Sequence, residues 1–428
     1  MKQKLLLIYL CLMPFIGKAE DLNVQVGPRP YFLISQMKPS ALKSKLESCA
    51  EKKLFKSEFS IGHRGAALMF PEHTLESYEA AERMGAGVIE CDVTFTKDKA
   101  LVCRHAQNDL HTTTNILLTS LAAKCNASFK PYDPINKTPA SAECRTSDIT
   151  LAEFKSLRGK MDAFNPLALT VDEFVNGTPN WRTDLYSGPS SGTLMTHQET
   201  IALFMKLGVK MTPELKEPVV QMPFDGFSQA DYAQKMLHEY KALNVKPADV
   251  FPQSFHHEDI MYWVQHEPEF SNQAVFLEAA EKPADLPDLE KLKQYKKQGV
   301  RIVAPPLFAL LDVQDNRMVA SRYAKDAKEA GLNIITWSLE RSGIMAVHKG
   351  GWYFQTVSSV VSNDGDIYEA LDVLAQDVGI IGFFSDWPAT TTYYANCMQI
   401  KARVVSSSKC NIGFIWMKYR FPISLEVK

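Results

Sequence analysis

Two histidines, three carboxylates and two cations stand at the ends of apolar runs in this chain, and as a set they suit cleavage of a phosphodiester. His63 and Arg64 end the run 59–63, Glu90 and Asp92 the run 88–94, His105 the run 100–105, and Glu214 and Lys216 the run 209–215. Residues two apart on an extended strand project from one face, so Glu90 should share a face with Asp92, and Glu214 with Lys216. Three carboxylates with no cysteine among them favour a hard divalent cation bound through oxygen, Ca2+ or Mg2+. Such a cation would offset phosphate charge and the extra charge of a pentacoordinate transition state. Arg64 and Lys216 suit the non-bridging oxygens. Two imidazoles can divide the acid and base roles near neutral pH.

Positioning these residues falls to the apolar runs themselves. Further runs at 250–255, 274–278, 300–304, 332–339 and 378–386 follow the first four, and amphipathic stretches at 74–84, 229–243, 289–298, 317–330 and 367–377 read as helices. Thr74 can cap the first of these. Strands alternating with helices imply a parallel sheet, and about eight such units favour an α/β fold of the (β/α)8 barrel type over an open sheet. A barrel gathers its chemistry at the carboxyl ends of its strands, which is where the polar residues lie. No Gly-x-Gly-x-x-Gly or Walker-type loop is present, against a dinucleotide fold. Residues 106–191, rich in Thr, Asn, Pro and Ser, break the alternation and read as a long insertion at the catalytic end.

The ordered series Gly62-His63-Arg64-Gly65, Pro71-Glu72-His73-Thr74, Glu90-Cys91-Asp92, Val102-Cys103-Arg104-His105 and Pro213-Glu214-Leu215-Lys216 resembles the signature of the glycerophosphodiester phosphodiesterase family. Gln253-Ser254-Phe255, Trp337 and Phe384-Ser385-Asp386-Trp387-Pro388 continue the likeness, which spans about residues 59–394. The resemblance implies a TIM-type barrel that releases an alcohol and glycerol 3-phosphate from a small glycerophosphodiester. It also implies His63 and His105 as the acid–base pair, Glu90, Asp92 and Glu214 as metal ligands, Arg64 and Lys216 at the phosphate, and Phe255 and Trp337 beside the glycerol. The implied nucleophile is the substrate's own 2-hydroxyl. Ala106 departs from the family, many of whose members carry Asp after the second histidine; Asn108 or Asp109 is the available substitute. Glu72 reads as a structural hydrogen-bonding residue and His73 as a loop residue.

The chain has 428 residues, 46% hydrophobic, with 47 Lys+Arg against 49 Asp+Glu and a formal net charge of -2. That balance speaks against a nucleic-acid partner. Lys2, Lys4, the apolar stretch 5–16 and Ala19 read as a signal peptide over residues 1–19, implying a secreted or periplasmic protein. The stretch is too short to span a bilayer, so no stable membrane insertion is expected. Residues 20–58 form a lead-in, 59–397 the barrel, and 398–428 a tail without an assigned role. Seven cysteines remain after the signal, with Cys125–Cys144 the best candidate disulfide. Cys91 and Cys103 are expected to face apart, because Cys91 opposes Glu90 and Asp92 while Cys103 should share a face with His105. Two alternatives stand beside the hydrolase: a phospholipase D-like enzyme on intact sphingolipid or lysophospholipid, and a binding protein on an inactive barrel.

Overall fold

The computed structural model describes residues 23–177, 182 and 191–400. Nine strands share its main sheet: β1 (Ser57–Gly62), β2 (Ala86–Phe95), β3 (Leu101–Cys103), β4 (Lys210–Leu215), β5 (Gln253–Ser254), β6 (Val275–Leu277), β7 (Ile302–Ala304), β8 (Asn333–Thr336) and β9 (Gly382–Ser385). All but β3 are parallel to their neighbours, and β1 pairs with both β2 and β9, so eight strands close into the expected barrel.

Period-two alternation divides the side chains between two cores. Ile61, Val88, Val275, Leu277, Ile302 and Ala304 fill the barrel interior. The intervening residues, such as Ile89, Cys91, Phe276 and Val303, pack outward under the helices. Each fully buried large side chain contributes roughly 1.5–3 kcal/mol, so a one-residue slip in any strand would be costly. Leu75–Arg83 is capped by Thr74, whose hydroxyl accepts from the Ser77 N–H, and His197–Leu207 ends on Gly208 in the left-handed region, φ 65°.

Two elements and one cysteine pairing differ from the sequence reading. The run 100–105 is no barrel strand: β3 folds back antiparallel on β2, pairing Cys103 with Val93. The chain then leaves extended geometry at Arg104, so His105 turns toward the barrel mouth instead of following Cys103. Cys91 and Cys103 therefore both lie on the outer side, and they form a disulfide, contrary to expectation. The stretch 317–330 starts as the strand Arg317–Ala320, paired with Leu311–Gln314, and becomes helical only over Arg322–Glu329.

Cys125–Cys144 is bonded as expected. Cys49–Cys397 joins the lead-in to the last helix among the described residues, Ala389–Cys397, where the Tyr393 hydroxyl also donates to the Leu46 carbonyl at 2.7 Å. Cys410 lies outside the described residues, as do residues 1–19 and most of the tail. The insertion has a small core of its own, with Leu110, Ile116, Phe154, Leu157 and Phe174 buried together.

Candidate active site

A cavity of about 370 Å³ opens at the carboxyl ends of the strands and is lined by all nine residues singled out from the sequence: His63, Arg64, Glu90, Asp92, His105, Glu214, Lys216, Phe255 and Trp337. Barrel register explains the meeting. Val88 points inward, so Glu90 and Asp92, two and four residues on, do the same at the mouth. Asp92 is the register partner of Glu214, and Glu214 of Gln253, which places three polar side chains in one row. Oxygens of Glu90, Asp92 and Glu214 lie within 4.8 Å of one another.

Among the described residues, the nearby cations offset that concentration of charge at Asp92 but not at Glu90 or Glu214. Burial, then repulsion from Asp92 and Glu214, pushes the Glu90 carboxyl well above its ordinary value. Burial likewise raises Glu214 to about 7 although Lys216 opposes the shift. Asp92 moves the other way: burial would raise it, but Lys216 and His73 outweigh that and hold it low. The Oδ1 atom of Asp92 is buried without a hydrogen-bond partner among the described residues. Three oxygen donors at close quarters, one of them orphaned, fit a hard divalent cation.

Four of the other five carboxylate oxygens already have partners. His73 Nε2 meets Asp92 Oδ2 at 2.8 Å while its Nδ1 meets the Tyr78 hydroxyl at 2.9 Å. Glu90 Oε1 accepts from Gln253 Nε2 at 2.8 Å, and Oε2 accepts from the Arg64 backbone N–H at 2.9 Å. That last bond needs Arg64 in the left-handed region, φ 56°. Its buried side chain donates to Glu72 at 2.9 Å, and Glu72 also receives Arg182 of the insertion. Lys216 pairs with Glu214 and sits 5.9 Å over the Phe255 ring. Such partners fix the orientation of would-be metal ligands.

The two imidazoles differ. His63 Nδ1 lies 3.2 Å from Asp386 Oδ2 and 3.2 Å from the Ser338 hydroxyl, leaving Nε2 3.8 Å from Glu90. Burial lowers its pKa to about 4 against the pull of Asp386. Burial, then the cations Arg64 and Lys216, holds His105 well below the usual imidazole value. Asp109 accepts from the Ala106 N–H at 3.0 Å and thereby braces the turn that carries His105. The other half of the cavity is apolar: Phe255, Leu277, Trp337, Tyr353 and Phe384. Phe255 meets Trp337 edge-on at 6.0 Å, and the Trp337 indole donates to the Ala304 carbonyl at 2.9 Å.

Several contributors were not given a role from the sequence. Asp386 lay inside a recognised motif, yet only closure of β9 on β1 brings it to His63. His73, read as a loop residue, is fully buried and orients Asp92. Glu72 accepts from Arg64 and tethers the insertion through Arg182. Arg341, Tyr353 and Ser338 come from the segment after β8 and carried no sequence signal.

A closed parallel barrel with acidic, basic and imidazole groups gathered at the carboxyl ends of its strands has the architecture of a TIM-barrel enzyme. The family model described as "Glycerophosphoryl diester phosphodiesterase family" matches residues 63–410, and the chain belongs to that family and is an enzyme of its phosphodiesterase class. It is 44% identical over 249 residues to a protein of Arthroderma benhamiae named "Extracellular protein", covering 56% of this chain and 100% of that one. A Bacillus subtilis "Glycerophosphodiester phosphodiesterase" is 28% identical over 264 residues, covering 61% of this chain and 72% of that one. A solved structure from Silicibacter pomeroyi, named for the same phosphodiesterase, shares the fold at 18% identity with a TM-score of 0.50, covering 83% of this chain and 98% of that one.

Proposed function

We propose that the chain hydrolyses glycerophosphodiesters to an alcohol and glycerol 3-phosphate with the help of a divalent cation, Ca2+ or Mg2+, held by Glu90, Asp92 and Glu214. The carrying observation is the convergence of those carboxylates with both histidines, Arg64 and Lys216 on one cavity. When bound, the cation supplies charge neutralisation at the phosphate. Arg64 and Lys216 hold the non-bridging oxygens, and the face formed by Phe255 and Trp337 takes the hydrocarbon side of the glycerol.

Neutral imidazole is the form suited to accept a proton, and His63 is held in that form with Nδ1 against Asp386. In the proposed reaction the 2-hydroxyl of the glycerol bonds to phosphorus and gives its proton to one imidazole. The ester bond to the alcohol breaks, and the departing oxygen takes a proton from the other histidine, which must enter this step as the imidazolium although burial and the nearby cations disfavour that form in the unliganded chain. Water then opens the cyclic phosphate with the roles reversed.

Export of the protein is part of the proposal, with residues 1–19 removed as a signal peptide. Three disulfides among the described residues suit an oxidising compartment. No helix among the described residues is long and apolar enough to cross a membrane.

The test is release of glycerol 3-phosphate from glycerophosphocholine, with and without a chelator. Turnover that chelation abolishes and Ca2+ or Mg2+ restores supports the proposal. Activity only on micellar lipid would point instead to a phospholipase D-like enzyme, and cation binding without any turnover to a binding protein.

A further inference from the structure

We propose that Arg341 is a positioning residue for His63, acting through Asp386. The segment after β8 grips the end of β9 with two adjacent side chains. Glu340 accepts from the Ser385 hydroxyl and from the Asp386 backbone N–H, both at 2.9 Å. Arg341 reaches the side chain of the same residue in a forked contact, Nε to Oδ2 at 3.1 Å and a terminal nitrogen to Oδ1 at 2.9 Å. Asp386 is wholly buried and Arg341 nearly so, at 12% side-chain exposure. A forked guanidinium fixes a carboxylate in plane as well as in position, which a point charge does not.

The held carboxylate is the one that meets His63 Nδ1. Ser338, from the same segment as Arg341, meets the same nitrogen at 3.2 Å. Arg341 thus sets the direction of His63 Nε2 toward Glu90, from a position on the wall of the same cavity.

This rests on His63 belonging to the acid–base pair, and the experiment separates the two claims. Steady-state kinetics on glycerophosphocholine would compare wild type, Arg341→Ala, Arg341→Lys, Asp386→Asn, the double variant Arg341→Ala/Asp386→Asn, and His63→Ala. Misplacing a reacting group by about 1 Å can cost on the order of 100-fold. Arg341→Ala should therefore lower kcat by roughly 10- to 100-fold with KM changed less than about 3-fold, and Arg341→Lys should restore part of the loss. The double variant should be no slower than Asp386→Asn alone, because both changes remove one linkage. Losses that multiply in the double variant, or a raised KM with kcat intact, overturn the inference and make Arg341 a separate contributor. If His63→Ala keeps its activity, the acid–base reading fails; if it loses activity while the Arg341 variants do not, only this inference fails. Circular dichroism checks folding, and Arg341→Lys, which keeps a cation in place, carries the same comparison should the alanine variant not fold.

Discussion

Replacing Glu214 with glutamine should make the cation-free protein more stable while removing its response to cations. The buried carboxyl of Glu214 has a pKa of about 7, against an ordinary value of 4.5. A shift of that size corresponds to about 3 kcal/mol of unfavourable ionisation in the folded chain. The folded value is the higher one, so between roughly pH 4.5 and 7 the folded chain holds a proton that the unfolded chain has lost, and cation-free stability falls as pH rises through that window. Glutamine has the same shape and cannot ionise. For 428 residues the entropy of unfolding is about 0.9 kcal/mol/K, so 3 kcal/mol corresponds to a rise of about 3 °C in Tm. Thermal melts in chelator at pH 8 should show the Glu214→Gln variant above wild type by an amount of that order. The gap should shrink to under about 1 °C at pH 5, where wild-type Glu214 is already protonated. Added Ca2+ or Mg2+ should raise the wild-type Tm at pH 8, because a ligand bound only by the folded chain stabilises it. A variant less stable than wild type in chelator at pH 8, or cation shifts of equal size in both proteins, would refute the picture of three carboxylates awaiting a cation.

His63→Ala and His105→Ala should each lower kcat by on the order of 10²–10⁴-fold with the circular dichroism spectrum unchanged, and turnover within tenfold of wild type would remove that residue from the pair. Asp92→Asn should weaken cation affinity at least tenfold in isothermal titration, since it alters both the orphaned oxygen and the His73 bond; unchanged affinity would contradict the ligand assignment. Changing Cys91 and Cys103 together to serine opens a short loop of sequence separation 12 and should cost about 3 kcal/mol, read as a lower denaturant midpoint. Cation affinity should also rise with pH through about 7, because Glu214 must lose its proton to bind; flat affinity from pH 5 to 8 would exclude that carboxylate.

Much of the site was legible because it depends on short-range geometry. Glu90 with Asp92, and Glu214 with Lys216, needed only the two-residue period of a strand, and their neighbours Val88 and Met211 settle which face is inward. The barrel itself followed from alternation repeated often enough to close. What failed was direction. Nothing in Leu101-Val102-Cys103 says that the strand runs backward along β2, and this reversal is what frees His105 from the face of Cys103 and brings that cysteine to Cys91. Contacts made by closure were equally hidden. His63 and Asp386 stand 323 residues apart, and no local pattern ties them. His73 looked like loop because its turn is irregular, but a turn can be fully buried when its side chain has a partner on each ring nitrogen, as Tyr78 and Asp92 provide.

The Cys49–Cys397 bond spans 348 residues and so turns nearly the whole enzyme into a covalent ring. A single peptide cut anywhere within that ring leaves two fragments still joined, with β1 and β9 held near each other beside the seam. One nick then opens a loop without releasing a piece of the barrel, a protection that would serve the chain if it is exported as proposed.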